Sequence, residues 1–158
     1  NKGNVILYRA KAPTYRGQKG VPFGQEQLRY WSICNTEVIT QRYSACLKDE
    51  QIVLDDEGYF TVIVSDTADR PLNATTEHNL NWIPWGPYVD AAIVYRHMLP
   101  NPQFSQTISN IARGEDIEEF MGDFAPHRAY CTKEIVEETK GSAKDVFNAC
   151  KNYTTENL

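Results

Sequence analysis

Short runs of apolar and β-branched residues, broken by turn-forming residues, occupy the chain as far as Pro100, and this pattern predicts strands. Val5-Ile6-Leu7-Tyr8 is the first run. A basic, glycine-punctuated stretch from Lys11 to Gly24 follows it, so residues 1–24 read as an extended arm. Strand signals then come in series, over Leu28 to Cys34 and over Glu37 to Leu47. Gln51 to Leu54 and Tyr59 to Ser65 flank the acidic turn Asp55-Asp56-Glu57-Gly58 and read as a hairpin. A turn cluster, Asp66 to Pro71, leads through a polar loop to the last strong strands, Asn81 to Trp85 and Asp90 to Met98. Near-continuous apolar character from Ala91 to Tyr95 predicts a central strand covered on both faces.

After Pro100 the period changes. Phe104, Ile108 and Ile111, then Ile117, Phe120 and Met121, recur at helical spacing on either side of Gly114. Ser142 to Tyr153 reads as a helix with Ser142 as N-cap, Asp145 three residues on, and Val146, Phe147 and Cys150 on one face. Strands followed by short helices predict a mainly β fold, an antiparallel β-sandwich or jelly roll with short C-terminal helices. The expected layout is one domain over 1–158: an arm at 1–24, a β core at 25–100 and a helical appendage at 101–158. No segment repeats another, so solenoids and propellers are not expected.

Composition places the chain in a compartment more than in a function. Its 158 residues suit one domain, and a formal net charge of −5 without a lysine or arginine run argues against a nucleic-acid partner. No apolar stretch reaches the roughly 20 residues a membrane helix needs. The sequence begins with Asn1 rather than methionine, as a processed or trimmed chain would. Cys34, Cys46, Cys131 and Cys150 lack the Cys-x-x-Cys and paired-histidine spacings of a zinc site and suit disulfides. Of the three possible pairings, Cys34–Cys46 and Cys131–Cys150 each lie within one local unit and are the expected ones. Asn73-Ala74-Thr75 and Asn152-Tyr153-Thr154 match the glycosylation acceptor pattern at Asn73 and Asn152. An even cysteine count with two such sites points to a secreted, periplasmic or cell-surface protein.

The candidate chemistry is sparse. Gly-x-Ser-x-Gly, glycine-rich phosphate loops and His-Glu-x-x-His are all absent, and nothing calls for a cofactor. Arg96 and His97 are neighbours on a strand, so they point to opposite faces. An arginine on an apolar strand needs a buried carboxylate, with Asp66 and Asp123 as candidates, or an anionic ligand. His97 reads as a hydrogen-bonded structural histidine. A metal site from His78, His97 and His127 is not expected; calcium at Asp55-Asp56-Glu57 or Asp66/Asp69 is a minor alternative. The aromatic framework is the stronger signal. Trp82-Ile83-Pro84-Trp85-Gly86-Pro87 is a rigid corner that either plugs a sandwich end or walls a ligand site. Tyr30, Trp31, Trp82, Trp85, Arg96 and His97 are the candidate ligand-binding residues, with Trp31 and Trp82 equally readable as core and Trp85 as the most exposed.

Arg29-Tyr30-Trp31-Ser32-Ile33-Cys34, Cys46-Leu47-Lys48-Asp49, Trp82-Ile83-Pro84-Trp85-Gly86, Arg96-His97-Met98-Leu99-Pro100 and Met121-Gly122-Asp123-Phe124-Ala125-Pro126 resemble the motifs of an uncharacterised family of secreted bacterial β-sandwich proteins. Val64-Ser65-Asp66 with Arg70-Pro71-Leu72-Asn73-Ala74 belongs to the same resemblance, which covers Gly24 to Tyr130. More loosely, the chain is similar to the C-terminal domain of exported two-domain proteins of unknown function. The resemblance implies export and a β-sandwich and carries no catalytic residue. The tail from Thr132 departs from the pattern.

These readings lead to an expected function: an extracellular, non-enzymatic binding or assembly module for a small molecule, a glycan or a protein partner, with homo- or hetero-oligomers formed through the N-terminal arm. The alternative is an exported enzyme that holds a small anionic substrate on Arg96 and moves a proton with His97 or an acid.

Overall fold

The computed structural model describes residues 3–157. Seven strands form two sheets: β1 (Val5–Lys11), β2 (Leu28–Glu37), β3 (Tyr43–Lys48), β4 (Tyr59–Ser65), β5 (Asn81–Pro84), β6 (Ala91–Pro100) and β7 (His127–Cys131). Three α-helices follow the sixth strand: α1 (Ile117–Met121), α2 (Lys133–Glu138) and α3 (Ala143–Asn157). One sheet runs β5-β4-β1-β7 and the other β3-β2-β6. The fold is β-rich, as the strand signals predict. The four-stranded sheet is mixed, however, because β5 pairs parallel to β4. Residues 66–80 cross between the two as a turn-rich connection, and that crossover length allows a parallel partner where a hairpin would not.

Period-2 geometry divides the four-stranded sheet between two cores. Phe60, Val62 and Val64 of β4 pack with Trp31 and Ile33 of β2 between the sheets. Val5 and Leu7 of β1 and Ile63 of β4 instead meet Val136, Val146 and Phe147 of the helices. The molecule is thus three layers: the three-stranded sheet, the four-stranded sheet, and α2 with α3. Ring stacking holds the first interface, with Trp31 on Phe60 at 5.3 Å and Tyr95 edge-on to Trp31 at 6.0 Å.

Both disulfides join the expected cysteines. Cys34–Cys46 links directly opposed residues of β2 and β3, and Cys131–Cys150 ties β7 to α3. α3 begins where the capping pattern placed it, with Asp145 accepting from the Ser142 N–H at 2.8 Å.

Several boundaries need correction. The arm at 1–24 contains β1, an inner strand paired to β4 on one side and β7 on the other. Polar flanks hid it, and Arg9 is buried within it because Asp55 arrives from a distant turn, 2.6 Å away. The rest of the arm folds back on its own chain: the Trp31 indole donates to the Pro13 carbonyl, the Leu28 N–H to Thr14, and Arg16 pairs with Glu26. The hairpin at 51–65 shrinks to the single bridge Leu54–Phe60, since both sides of β4 are taken by β1 and β5. β6 lies at a sheet edge, not at its centre. The appendage at 101–158 includes β7, and the expected helix at 104–111 is only a 3-10 turn at Ile108–Asn110.

Candidate functional site

The six candidate ligand-binding residues do not converge. Trp31 is a core residue. Trp82 sits on the helix side of the four-stranded sheet, its indole donating to Ser65 Oγ at 3.0 Å and its ring carrying the Arg70 guanidinium at 4.4 Å. Tyr30 is half-buried on β2. Arg96 reaches across the outer face of the three-stranded sheet, donates to the Tyr43 hydroxyl and lies over its ring. It meets neither Asp66 nor Asp123; Asp123 instead bonds the Tyr59 hydroxyl, whose pKa is raised by burial and then by that carboxylate.

His97 points the other way, into the aromatic core beside Tyr95 and Phe104. Its Nδ1 lies 3.2 Å from Thr107 Oγ1 and 3.5 Å from the Ile108 N–H. Accepting from that N–H places the imidazole proton on Nε2. Nε2 and the Tyr95 hydroxyl are buried without a hydrogen-bond partner among the described residues. Burial holds His97 neutral, its pKa lowered to about 4, and pushes the Tyr95 phenol up. Arg96 and His97 therefore share no site, and the pairing on which an enzymatic reading leans is absent.

His78 and His127 are equally dispersed, the one against Thr75 and the other against Glu118. Among the described residues no three metal-ligating side chains gather. In the acidic turn, Asp55 and Glu57 are engaged by Arg9 and Lys144 rather than grouped around a cation. Asn73 donates its Nδ2, the atom glycosylation would modify, to the Val136 carbonyl at 2.7 Å, whereas Asn152 is exposed on α3.

One predicted residue, Trp85, does line a concave site. At the end of the sheet where β1 begins and β4 finishes, a cavity of about 230 Å³ opens on the face toward the other sheet. Its floor is a cross-strand row, Val64, Ile6 and Tyr130, set in register by β4, β1 and β7. Trp85 forms one wall. Its backbone N–H donates to the Ser65 carbonyl at 2.8 Å, and its indole N–H to the Tyr88 carbonyl at 3.0 Å, which fixes the ring. Asp66 and Asp69, on the turn leaving β4, form the rim together with Asn4. Asn4 Nδ2 donates to Asp69 at 2.6 Å, while its Oδ1 accepts from the Lys133 N–H at 3.3 Å. The Asp66 carboxylate is exposed and makes no side-chain bond among the described residues. The Arg128 guanidinium lies 5.1 Å from the Tyr130 ring centre.

No family model matches this sequence, and neither a curated protein nor a solved structure shows significant similarity to it. The chemistry of the cavity therefore has to speak for itself. A larger hollow of about 680 Å³ runs along residues 114–120, but a single stretch of chain lines it and three of its five lining residues are acids. The smaller cavity brings together apolar, aromatic, amide and carboxylate groups from separate elements, as ligand sites do. Sequence reasoning singled out Trp85, considered Asp66 as a partner for Arg96 and Asp66 with Asp69 as cation ligands, and missed Asn4, Ile6 and Tyr130.

Proposed function

We propose that the protein is an extracellular binding module that accepts a small polyhydroxylated ligand, a sugar residue, in the Trp85–Tyr130 cavity. The observation that carries this reading is the pairing of fixed aromatic and aliphatic surface with two carboxylates and an amide at the rim. A sugar ring offers an apolar C–H face to such a surface and hydroxyl donors to such acceptors. Asp69, held by Asn4, gives an oriented acceptor, and Asp66 gives an unoccupied one. Two disulfides support an oxidising compartment, and no helix among the described residues is long and apolar enough to cross a membrane.

A panel of monosaccharides and short glycans, titrated by calorimetry and by tryptophan fluorescence, tests the reading. Binding should weaken roughly tenfold or more in Trp85→Ala and in Asp66→Asn, and stay unchanged in Trp82→Ala, whose ring faces the helices. The absence of binding across the panel, or equal affinity in Trp85→Ala, overturns it.

A further inference from the structure

Two sheets have four edge strands, and three of them are closed. On β7 the Thr154 hydroxyl of α3 accepts from the Tyr130 N–H at 2.8 Å and donates to the Tyr130 carbonyl at 2.9 Å. β5 has four residues and ends in Pro84. β3 is crossed at Ser44 by Gly86, so close that a Cβ there would lie 2.7 Å from the Ser44 Cβ, and it is closed at Lys48 by Gln51 and Ile52. Such closures are how sheets avoid pairing with other chains. Of these closures β6 shares only the terminal proline, Pro100. It is ten residues long, and its outer backbone groups make no hydrogen bond among the described residues.

The register identifies which groups those are. Cys34 and Cys46 are directly opposed with Cα atoms 4.1 Å apart, the spacing of a non-hydrogen-bonded pair, so Cys34 turns its N–H and C=O toward β6. The Trp31 N–H, three residues earlier, points to the β3 side and donates to Asp49, as this alternation requires. Val94, opposite Cys34, therefore bonds to β2, and Ala91, Ile93, Tyr95 and His97 present their N–H and C=O groups outward.

We propose that β6 pairs antiparallel with β6 of a second copy of the chain, about a two-fold axis at Ile93, making one six-stranded sheet. The strand is self-complementary in that register. Ile93 meets Ile93, Ala91 meets Tyr95, and Ala92 meets Val94. At both ends Asp90 comes opposite Arg96 of the second copy, whose guanidinium exchanges the Tyr43 hydroxyl it meets within one chain for that carboxylate. An axis two residues earlier would set Pro87, which has no N–H, against Tyr95. An axis two residues later would run Asp90 against Pro100 and leave both charges unpaired. Arg96 is on the outer face of the sheet, and Asp90, one residue before β6, comes to the non-hydrogen-bonded position opposite it when the paired strand is extended by that residue.

Sedimentation equilibrium over a concentration series tests the pairing. The expected result is a dimer of twice 18.0 kDa. Asp90→Arg sets like charges opposite each other at two symmetric places and should raise the dissociation constant about tenfold. Asp90→Arg with Arg96→Asp should restore it. Ala91→Pro, which removes one outward N–H and no bond to β2, should weaken the dimer too, with an unchanged circular-dichroism spectrum confirming the fold of each variant. A monomer at every concentration overturns the proposal. So does a dimer that Asp90→Arg leaves as tight as before.

Discussion

His97 makes stability depend on pH in a window where few other groups titrate. In the folded protein its pKa falls from 6.5 to about 4, because the imidazole is buried beside Tyr95 and Phe104. The unfolded chain regains the ordinary value. Between these two pH values the unfolded state binds a proton that the folded state refuses, so stability decreases as pH falls. Each pH unit inside the window changes stability by up to about 1.4 kcal/mol, which amounts to about 2 kcal/mol between roughly pH 7 and pH 5. Carboxylates held low, such as Glu26 by Arg16 and Glu37 by the Thr40 hydroxyl and then the Ile39 and Thr40 amides, act in the same direction but only near and below the usual carboxylate range. Urea denaturation followed by tryptophan emission, repeated across this interval, gives the curve directly. His97→Leu should flatten it. Stability that stays level from neutral to mildly acidic pH, or an equal decline in His97→Leu, would refute the assignment of a buried neutral imidazole.

Three further outcomes follow from the packing. Asp55→Ala leaves buried Arg9 with only the exposed Glu57 carboxylate 3.8 Å away and removes the acceptor for the Glu57 and Tyr59 N–H groups; chemical denaturation should show a loss of about 3 kcal/mol. Replacing Cys131 and Cys150 together by alanine opens a loop spanning 19 residues and should cost about 3 kcal/mol by the same measurement. Thr154→Val removes the hydroxyl that closes the β7 edge, so hydrogen exchange at the Tyr130 amide should accelerate and stability should fall by about 1–3 kcal/mol.

What the sequence revealed, and what it hid, divides along one physical line. Features encoded within a few residues were legible: the β-branched run of β4, the N-cap of α3, and two disulfides that each close a short loop. Features that depend on a distant partner were not. Val5–Lys11 looked like part of an arm because Arg9 interrupts its apolar run, yet Asp55 and Thr61 neutralise and bond it inside the sheet. β7 carries three charged or titratable residues in five, His127, Arg128 and Tyr130, and only Ala129 and Cys131 mark its buried face. β6 looked central from its apolar run, whereas its inner residues fill the aromatic core and its outer backbone stays open. The cavity shows the same limit most clearly. Asn4, Asp66, Trp85 and Tyr130 come from four separate stretches of chain, brought together only because β1 lies between β4 and β7. Trp85 stood out because its proline-flanked corner is rigid whatever surrounds it. Tyr130 had no comparable local mark, and its place beside Ile6 follows solely from an antiparallel register that nothing near it in the sequence specifies.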